Sequence, residues 1–339
     1  MKKLKIIADA HVPFLDPLRE VADVTTLVPA NIVPETVRDA DALIVRTRTR
    51  CDRSLLEGSK VKFVATATIG TDHFDKDWLS EAGIGYANAP GCNAPAVAQY
   101  VFSSLVRLIN RPLSSYTIGI VGVGHVGSIV ERWARAMEMK VMLCDPPRQR
   151  AEGGDGWSSL EDIARKADII TFHTPLTKQG PDATYHLADS AFFNSLRRAP
   201  IIINAARGPV VDTQAWLEAI ERGIVGPAVV DCWEGEPAID LRLLGVADIA
   251  TPHIAGYSLA GKMRASVMAV DALADHFNMS RIDLGLDLPP VPDSVTVPEM
   301  LASYNPLVDT AILKENPADF ESLRDNYDLR PEPRGSLSM

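Results

Sequence analysis

Residues 116–147 constrain this chain more than any other stretch. Ile118, Ile120 and Val121 form a short apolar run that ends in Gly122-x-Gly124-x-x-Gly127. A helical pattern starts at once, with Val130, Trp133, Ala134 and Met137 on one face. A second apolar run, Val141 to Leu143, leads to Asp145, eighteen residues past the third glycine. Strand, tight turn, helix, strand and acid in this order are the frame of a doubly wound dinucleotide-binding fold. Gly122 allows the turn, Gly124 lets the backbone approach a pyrophosphate, and Gly127 lets the helix pack closely on its strand. The helix start, at His125 and Val126, offers unpaired N–H groups and a partial positive charge to phosphates. Asp145 can accept hydrogen bonds from the adenosine ribose, and its charge would repel the 2′-phosphate of NADP. The expected cofactor is therefore NAD, with Arg148 close enough to soften the preference.

At 339 residues the chain exceeds one ordinary domain, so two domains and an extension are expected. A net charge of −10 argues against a nucleic-acid groove, which needs clustered Lys and Arg. Cys51, Cys92, Cys144 and Cys232 are widely spaced and form no cluster with metal-ligand spacing, so reduced core thiols and no metal are expected. The N-terminal apolar run is too short for a signal segment, and no stretch has the length of a membrane span. These features predict a soluble, cytoplasmic protein without membrane partners.

The remaining elements alternate strand and helix, which predicts mostly parallel sheets with helices on their faces. The fold class read from this is α/β with two doubly wound domains: a Rossmann NAD domain, a flavodoxin-like substrate domain and a short C-terminal extension. Residues 1–93 with 258–285 are expected to form the substrate domain and 94–257 the NAD domain. Residues 286–339, rich in proline and charge, read as an arm or a shortened dimerisation region. That region holds one short helix at 320–327 and a disordered end at 331–339. Strands are expected at Leu4 to Ala8, Val24 to Leu27, Ala42 to Val45 and Phe63 to Ala67. A long apolar helix is expected from Ala94 with Asn93 as its cap, and 148–157 reads as turns.

In open α/β sheets, ligands gather beyond the carboxyl ends of the strands. In the first domain two such ends are polar: Arg46-Thr47-Arg48-Thr49-Arg50, and Thr66 to His73, which includes Thr68. They suit an anionic substrate; the alternative reading of the arginines is a solvated basic loop. In the second domain Thr174, Arg207 with the preceding Ala206, Asp231, Glu236 and His253 all follow apolar runs. Arg207 would grip a carboxylate with its planar fork and polarise the neighbouring oxygen. His253 would move the hydroxyl proton, and Glu236 would fix its tautomer. Thr174 and Asp231 stand where a nicotinamide and its ribose need polar partners. The set suits removal of hydride from a carbon bearing hydroxyl and carboxylate.

The ordered segments G-V-G-H-V-G, F-H-T-P-L-T, I-N-A-A-R-G, D-C-W-E-G-E-P and T-P-H-I-A-G-Y resemble the D-isomer-specific 2-hydroxyacid dehydrogenases over about residues 4–280. The resemblance implies Arg207 and Glu236 as active-site residues and His253 as proton donor. It also implies Asp145, Thr174, Asp231 and Gly256 at NAD, and Thr47, Thr68 and Tyr257 at the substrate. It further implies a homodimer oxidising a phosphorylated 2-hydroxy acid. An unphosphorylated acid such as D-glycerate or D-lactate is one rival reading, and an NAD-sensing interaction protein is the other.

Overall fold

The computed structural model describes residues 3–335, which divide into two compact units: Met1–Asn93 with Ser258–Pro289, and Ala94–Tyr257 with Pro290–Met339.

The first unit is a parallel sheet of β1 (Leu4–Asp9), β2 (Ala22–Leu27), β3 (Ala42–Val45), β4 (Phe63–Thr66) and β5 (Gly85–Ala87). Their order is β2-β1-β3-β4-β5. Strand periodicity sends Ile6, Ile44 and Ala65 to one face, against Ala269, Val270 and Leu273 of the helix Leu259–His276. Ile7, Leu43 and Val64 go to the other, against Val37, Leu55 and Leu79. Both faces are covered, so β3 and β4 read as unbroken apolar runs. Strand β5 is not among the strands expected from the sequence. It is three residues long and begins with a glycine, too short to show a period, and it is held by pairing with β4.

The second unit contains β6 (Thr117–Val121), β7 (Lys140–Cys144), β8 (Ile169–Phe172), β9 (Ile201–Asn204), β10 (Ala228–Val230) and β11 (Ile249–Ala250). All are parallel, in the order β11-β10-β9-β8-β6-β7. The winding reverses between β6 and β8, and that switch point is where such a sheet opens beyond its strand ends. The helices Ala94–Leu108 and His125–Ala136 cover one face, with the Phe102 and Trp133 rings 6.0 Å apart. Asn93 does not cap the first of them, because its Oδ1 has no hydrogen-bond partner.

Two further expectations need correcting. Residues 146–152 are helical rather than turns: Asp145 accepts from Arg148 N at 3.0 Å, and proline in the first turn is compatible with the helix it caps. The C-terminal region is not an arm with a single helix. It folds into the helices Val297–Ser303, Pro306–Glu315 and Phe320–Asp325, and Met300, Leu313 and Phe320 are buried in the second unit's core. Thr310 Oγ1 accepts from Ala250 N at 3.0 Å and so pairs the edge of β11. Of the prolines that suggest extended chain, Pro298 and Pro306 stand in the first turns of the first two of these helices, behind Thr296 and Asn305 caps, while Pro289, Pro290 and Pro292 lie outside any helix. Of the end expected to be disordered, residues 331–335 are tied down by Gln99 Nε2 to Pro331 O at 3.0 Å and Gly335 N to Glu299 Oε1 at 2.7 Å. Residues 336–339 lie outside the described residues.

Candidate active site

The glycine turn is fixed by steric limits on the backbone. Gly122 has φ +88°, and a Cβ there would lie 2.8 Å from His173 C and Thr174 N. At Gly127 a Cβ would lie 2.1 Å from Gly122 O, so the helix–strand approach admits only glycine. Gly124 differs, because a Cβ there would meet no protein atom within 4 Å. Its open side adjoins the start of the helix His125–Ala136, where the N–H groups of His125, Val126 and Gly127 have no preceding helical carbonyl to bond. Across the turn, Asp145 Oδ2 accepts from Val123 N at 2.8 Å, and the half-buried carboxylate keeps lone pairs for further donors. Arg148 is held by Val123 O at 2.6 Å and Glu152 at 2.5 Å, which neutralises much of the charge that a 2′-phosphate would seek. An open glycine, a free helix start and an oriented acid fit a pyrophosphate and an adenosine ribose, and thus NAD. Thr174 Oγ1 is buried without a partner, as suits a side chain that meets a ligand.

Three strand ends of the same sheet assemble the acid–base group. Glu236 Oε2 lies 2.8 Å from His253 Nδ1, and Glu236 Oε1 accepts from Trp233 N at 2.8 Å. Burial alone would raise the Glu236 pKa. The His253 charge and hydrogen bond, the Trp233 N–H and Arg324 outweigh it and hold the carboxyl below the usual range. An ionised carboxylate only accepts, so Nδ1 carries the proton and Nε2 is the basic nitrogen of neutral His253. The His253 side chain is 26% exposed, and Nε2 makes no hydrogen bond among the described residues. Arg207 follows β9, and the adjacent Gly208 is pressed against the Trp233 loop, where a Cβ would lie 1.9 Å from Trp233 O. The Arg207 and Glu236 loops are therefore in direct contact. Between them Cys232 stays a neutral thiol: burial, with Asp231 and Glu236, pushes its pKa up against the opposing effect of Arg207 and Arg324.

Asp231, expected at the cofactor, is buried beneath the His253 loop. Its Oδ1 accepts from Thr251 Oγ1 at 2.7 Å, Ile254 N at 2.8 Å and Ala255 N at 3.0 Å. Those bonds make it a brace for a loop in which His253 itself takes φ +57°. Gly256 and Tyr257 follow on that loop. Ala206 lies beside Arg207, its N–H bonded to Asn204 Oδ1 at 3.2 Å.

Three supporting residues escape sequence reasoning. Asn204 Nδ2 reaches the carbonyls of Arg207, Gly208 and Cys232 at 3.1–3.4 Å and so ties two loops together. Arg330 is buried. Its Nη1 donates to Ile254 O at 2.9 Å and Tyr257 O at 3.1 Å, its Nη2 donates to Ala255 O, and its guanidinium stacks 4.2 Å from the centre of the Tyr304 ring. Arg324 Nε donates to Tyr257 Oη at 3.2 Å, and its Nη1 lies 3.9 Å from Glu236 Oε2. An asparagine ending a strand is a weak signal, and the two C-terminal arginines give none.

The other candidates belong to the first unit. Arg46 and Thr47 follow β3, and Thr68 lies just past β4, the strand paired beside it. Thr68 Oγ1 is 2.7 Å from Thr66 Oγ1, Thr47 is exposed, and the buried Arg46 Nε has no partner. Arg50 is bound to Asp52 at 2.7 Å, which accounts for one of the basic residues as a local ion pair. The four cysteines are buried thiols outside any disulfide, as expected of core residues.

Residues 97–255 match the D-isomer specific 2-hydroxyacid dehydrogenase, NAD binding domain. The chain is 48% identical to an erythronate-4-phosphate dehydrogenase of Bacteroides thetaiotaomicron over 98% of both chains. It is 50% identical to one of Bacteroides fragilis over 97% of both. Among solved structures it resembles a D-lactate dehydrogenase of Aquifex aeolicus complexed with NAD and lactic acid. There the TM-score is 0.69 and the identity 24%, over 81% of this chain and 95% of that one. The protein TT0316 of Thermus thermophilus gives a TM-score of 0.70 and 26% identity, over 82% of this chain and 98% of that one.

Proposed function

The chain belongs to the erythronate-4-phosphate dehydrogenases, within the D-isomer-specific 2-hydroxyacid dehydrogenase family, and from this premise we propose the residue roles and substrate that follow. It is an NAD-dependent oxidoreductase acting on CH–OH. Its substrate is 4-phospho-D-erythronate, oxidised to (R)-3-hydroxy-2-oxo-4-phosphooxybutanoate as a step towards pyridoxal 5′-phosphate. The observation that carries the reading is the Glu236–His253 pair, 2.8 Å apart, on the sheet that also carries the complete glycine turn and Asp145.

NAD, when bound, supplies the acceptor for the hydride on C2. Gly124, the helix start at His125 and Val126, and Asp145 hold its phosphates and ribose, and Thr174 lies at the nicotinamide end. Arg207 draws the substrate carboxylate and the C2 oxygen into register. His253 Nε2 takes the hydroxyl proton, while Glu236 keeps Nδ1–H in place and stabilises the imidazolium that forms. In reduction the same nitrogen returns the proton. Arg46, Thr47, Thr68 and Tyr257 are substrate contacts on this reading.

The active form is proposed to be a cytoplasmic homodimer. Exposed Leu301, Leu307, Val308 and Ile312 on the C-terminal helices support a partner surface there. No helix among the described residues is long and apolar enough to cross a membrane.

The test is NADH formation with 4-phospho-D-erythronate, D-3-phosphoglycerate, D-glycerate and D-lactate, each across pH. A clear preference for the four-carbon phosphate is expected. Equal or faster turnover of the unphosphorylated acids would discard the substrate and leave the family. NADH binding without turnover of any of them would favour a sensing role.

A further inference from the structure

Arg324 has no part in the chemistry assigned to Arg207, Glu236 and His253, yet it stands against that group. It comes from the helix Phe320–Asp325, and its side chain is only 18% exposed. Among the described residues its guanidinium makes one hydrogen bond, from Nε to Tyr257 Oη at 3.2 Å. Nη1 is 3.9 Å from Glu236 Oε2, close enough for attraction and too far for a hydrogen bond. A guanidinium has five N–H donors, and a largely buried one with most of them unpaired is costly unless something else meets them. Neither Nη atom is among the sealed, partnerless atoms of the structure, so both keep an open approach. The bond from Nε to Tyr257 fixes the plane of the guanidinium and leaves its Nη edge to a ligand.

A phosphorylated 2-hydroxy acid carries two anions. Arg207 accounts for the carboxylate at the reacting end, and the phosphate needs a second cation placed beyond it. A forked, fixed guanidinium suits phosphate oxygens better than a point charge does. We propose that Arg324, oriented by Tyr257, binds the phosphate of the substrate and sets the preference for phosphorylated acids. This assignment rests on the phosphorylated-acid reading above. It also gives the C-terminal region a task at the site, since the helix that presents Arg324 is seated by the buried Phe320.

The experiment compares wild type, R324Q, R324K and R46Q with 4-phospho-D-erythronate and with D-erythronate, using NADH binding and melting temperature to establish folding. In R324Q the ratio of kcat/KM for the phosphorylated acid over the unphosphorylated one should fall about tenfold or more, chiefly through KM. Inhibition by inorganic phosphate should weaken in parallel. R324K, which keeps the charge and loses the fork, should fall between wild type and R324Q, and it carries the test should R324Q prove unfolded. Equal losses on both acids, or a fall in kcat with KM unchanged, would overturn the proposal and make Arg324 a positioning residue for Glu236. The same pattern in R46Q with none in R324Q would overturn it in favour of the first unit's arginine. A wild type that oxidises D-erythronate as well as its phosphate would remove both this inference and the substrate reading, and would do so before any variant is made.

Discussion

The glycine turn at 122–127 and the Glu236–His253 pair belong to the same sheet and are built by opposite means. The turn is specified by what cannot fit: a Cβ at Gly122 or Gly127 would run into backbone, so only glycine suits either position. The pair is specified by what must be held. Asp231 braces the loop from beneath, Arg330 clasps its carbonyls from the C-terminal region, and Asn204 locks the neighbouring loop. Steric exclusion at the turn acts through backbone, that of Gly122 against Gly127 and that of the neighbouring strand end at His173 and Thr174 against Gly122, whereas polar bracing recruits side chains from anywhere in the chain. Damage to the turn should therefore act on cofactor binding and stability, and damage to the pair or its braces should act on turnover.

The largest expected effect is on the pair. His253→Ala should lower turnover by roughly two to four decades, the range typical of general acid–base catalysis, with NADH affinity close to wild type. Fluorescence titration with NADH beside steady-state rates tests both halves. Loss of NADH binding in this variant would erase the distinction between the two regions.

Next in size is a brace. Arg330→Met removes the donors to Ile254, Ala255 and Tyr257 while keeping an apolar stem over Tyr304. Each buried carbonyl left without a partner costs about 1–3 kcal/mol, so a fall in the denaturant midpoint is expected along with slower turnover. NADH affinity should change least. A variant with normal turnover would mean that the His253 loop keeps its shape without Arg330, and that Asp231 suffices.

This brace also marks where sequence reading stops. The turn, Asp145 and the strand ends are legible because period, glycine spacing and a following acid all lie within one βαβ unit. His253 and Glu236 can be proposed because each follows an apolar run, although only the fold shows them 2.8 Å apart. Arg330 meets carbonyls 76, 75 and 73 residues earlier in the chain, and no local pattern encodes such a pairing. The helix Pro146–Glu152 and the C-terminal helices Val297–Ser303 and Pro306–Glu315 fail for a different reason. Proline marks both a helix start and a break, and the sequence alone does not say which. Asp231 sits at an expected place, and its bracing of the His253 loop is a tertiary fact that no local pattern encodes.

Within the turn, two glycines can be set against each other. Gly127→Ala places a Cβ against Gly122 O and should destabilise the protein by about 1–3 kcal/mol, as overpacking does, while weakening NADH. Gly124→Ala meets no protein atom, so its melting temperature should stay near wild type while NADH affinity still falls. Thermal melts with NADH titrations separate the two. Equal destabilisation by both would mean that Gly124 serves the fold and not the ligand.

The last and smallest effect is one of pH. Glu236 is held below its ordinary pKa because the charge and hydrogen bond of His253, the Trp233 N–H and Arg324 together outweigh the cost of burial. A carboxyl with a depressed native pKa contributes stability that is complete above its unfolded value, about 4.5, and is lost as pH falls through the native one. Glu236→Gln cannot titrate, so wild type should lead it in stability at neutral pH, with the lead shrinking below about pH 4.5. The Gly124→Ala variant, with Glu236 intact, should track wild type over the same range. Parallel wild-type and Glu236→Gln curves from pH 7 down to pH 3 would show that Glu236 is not ionised against His253. The acid–base pair would then be held by shape, as the turn is, and the contrast between the two regions would fail.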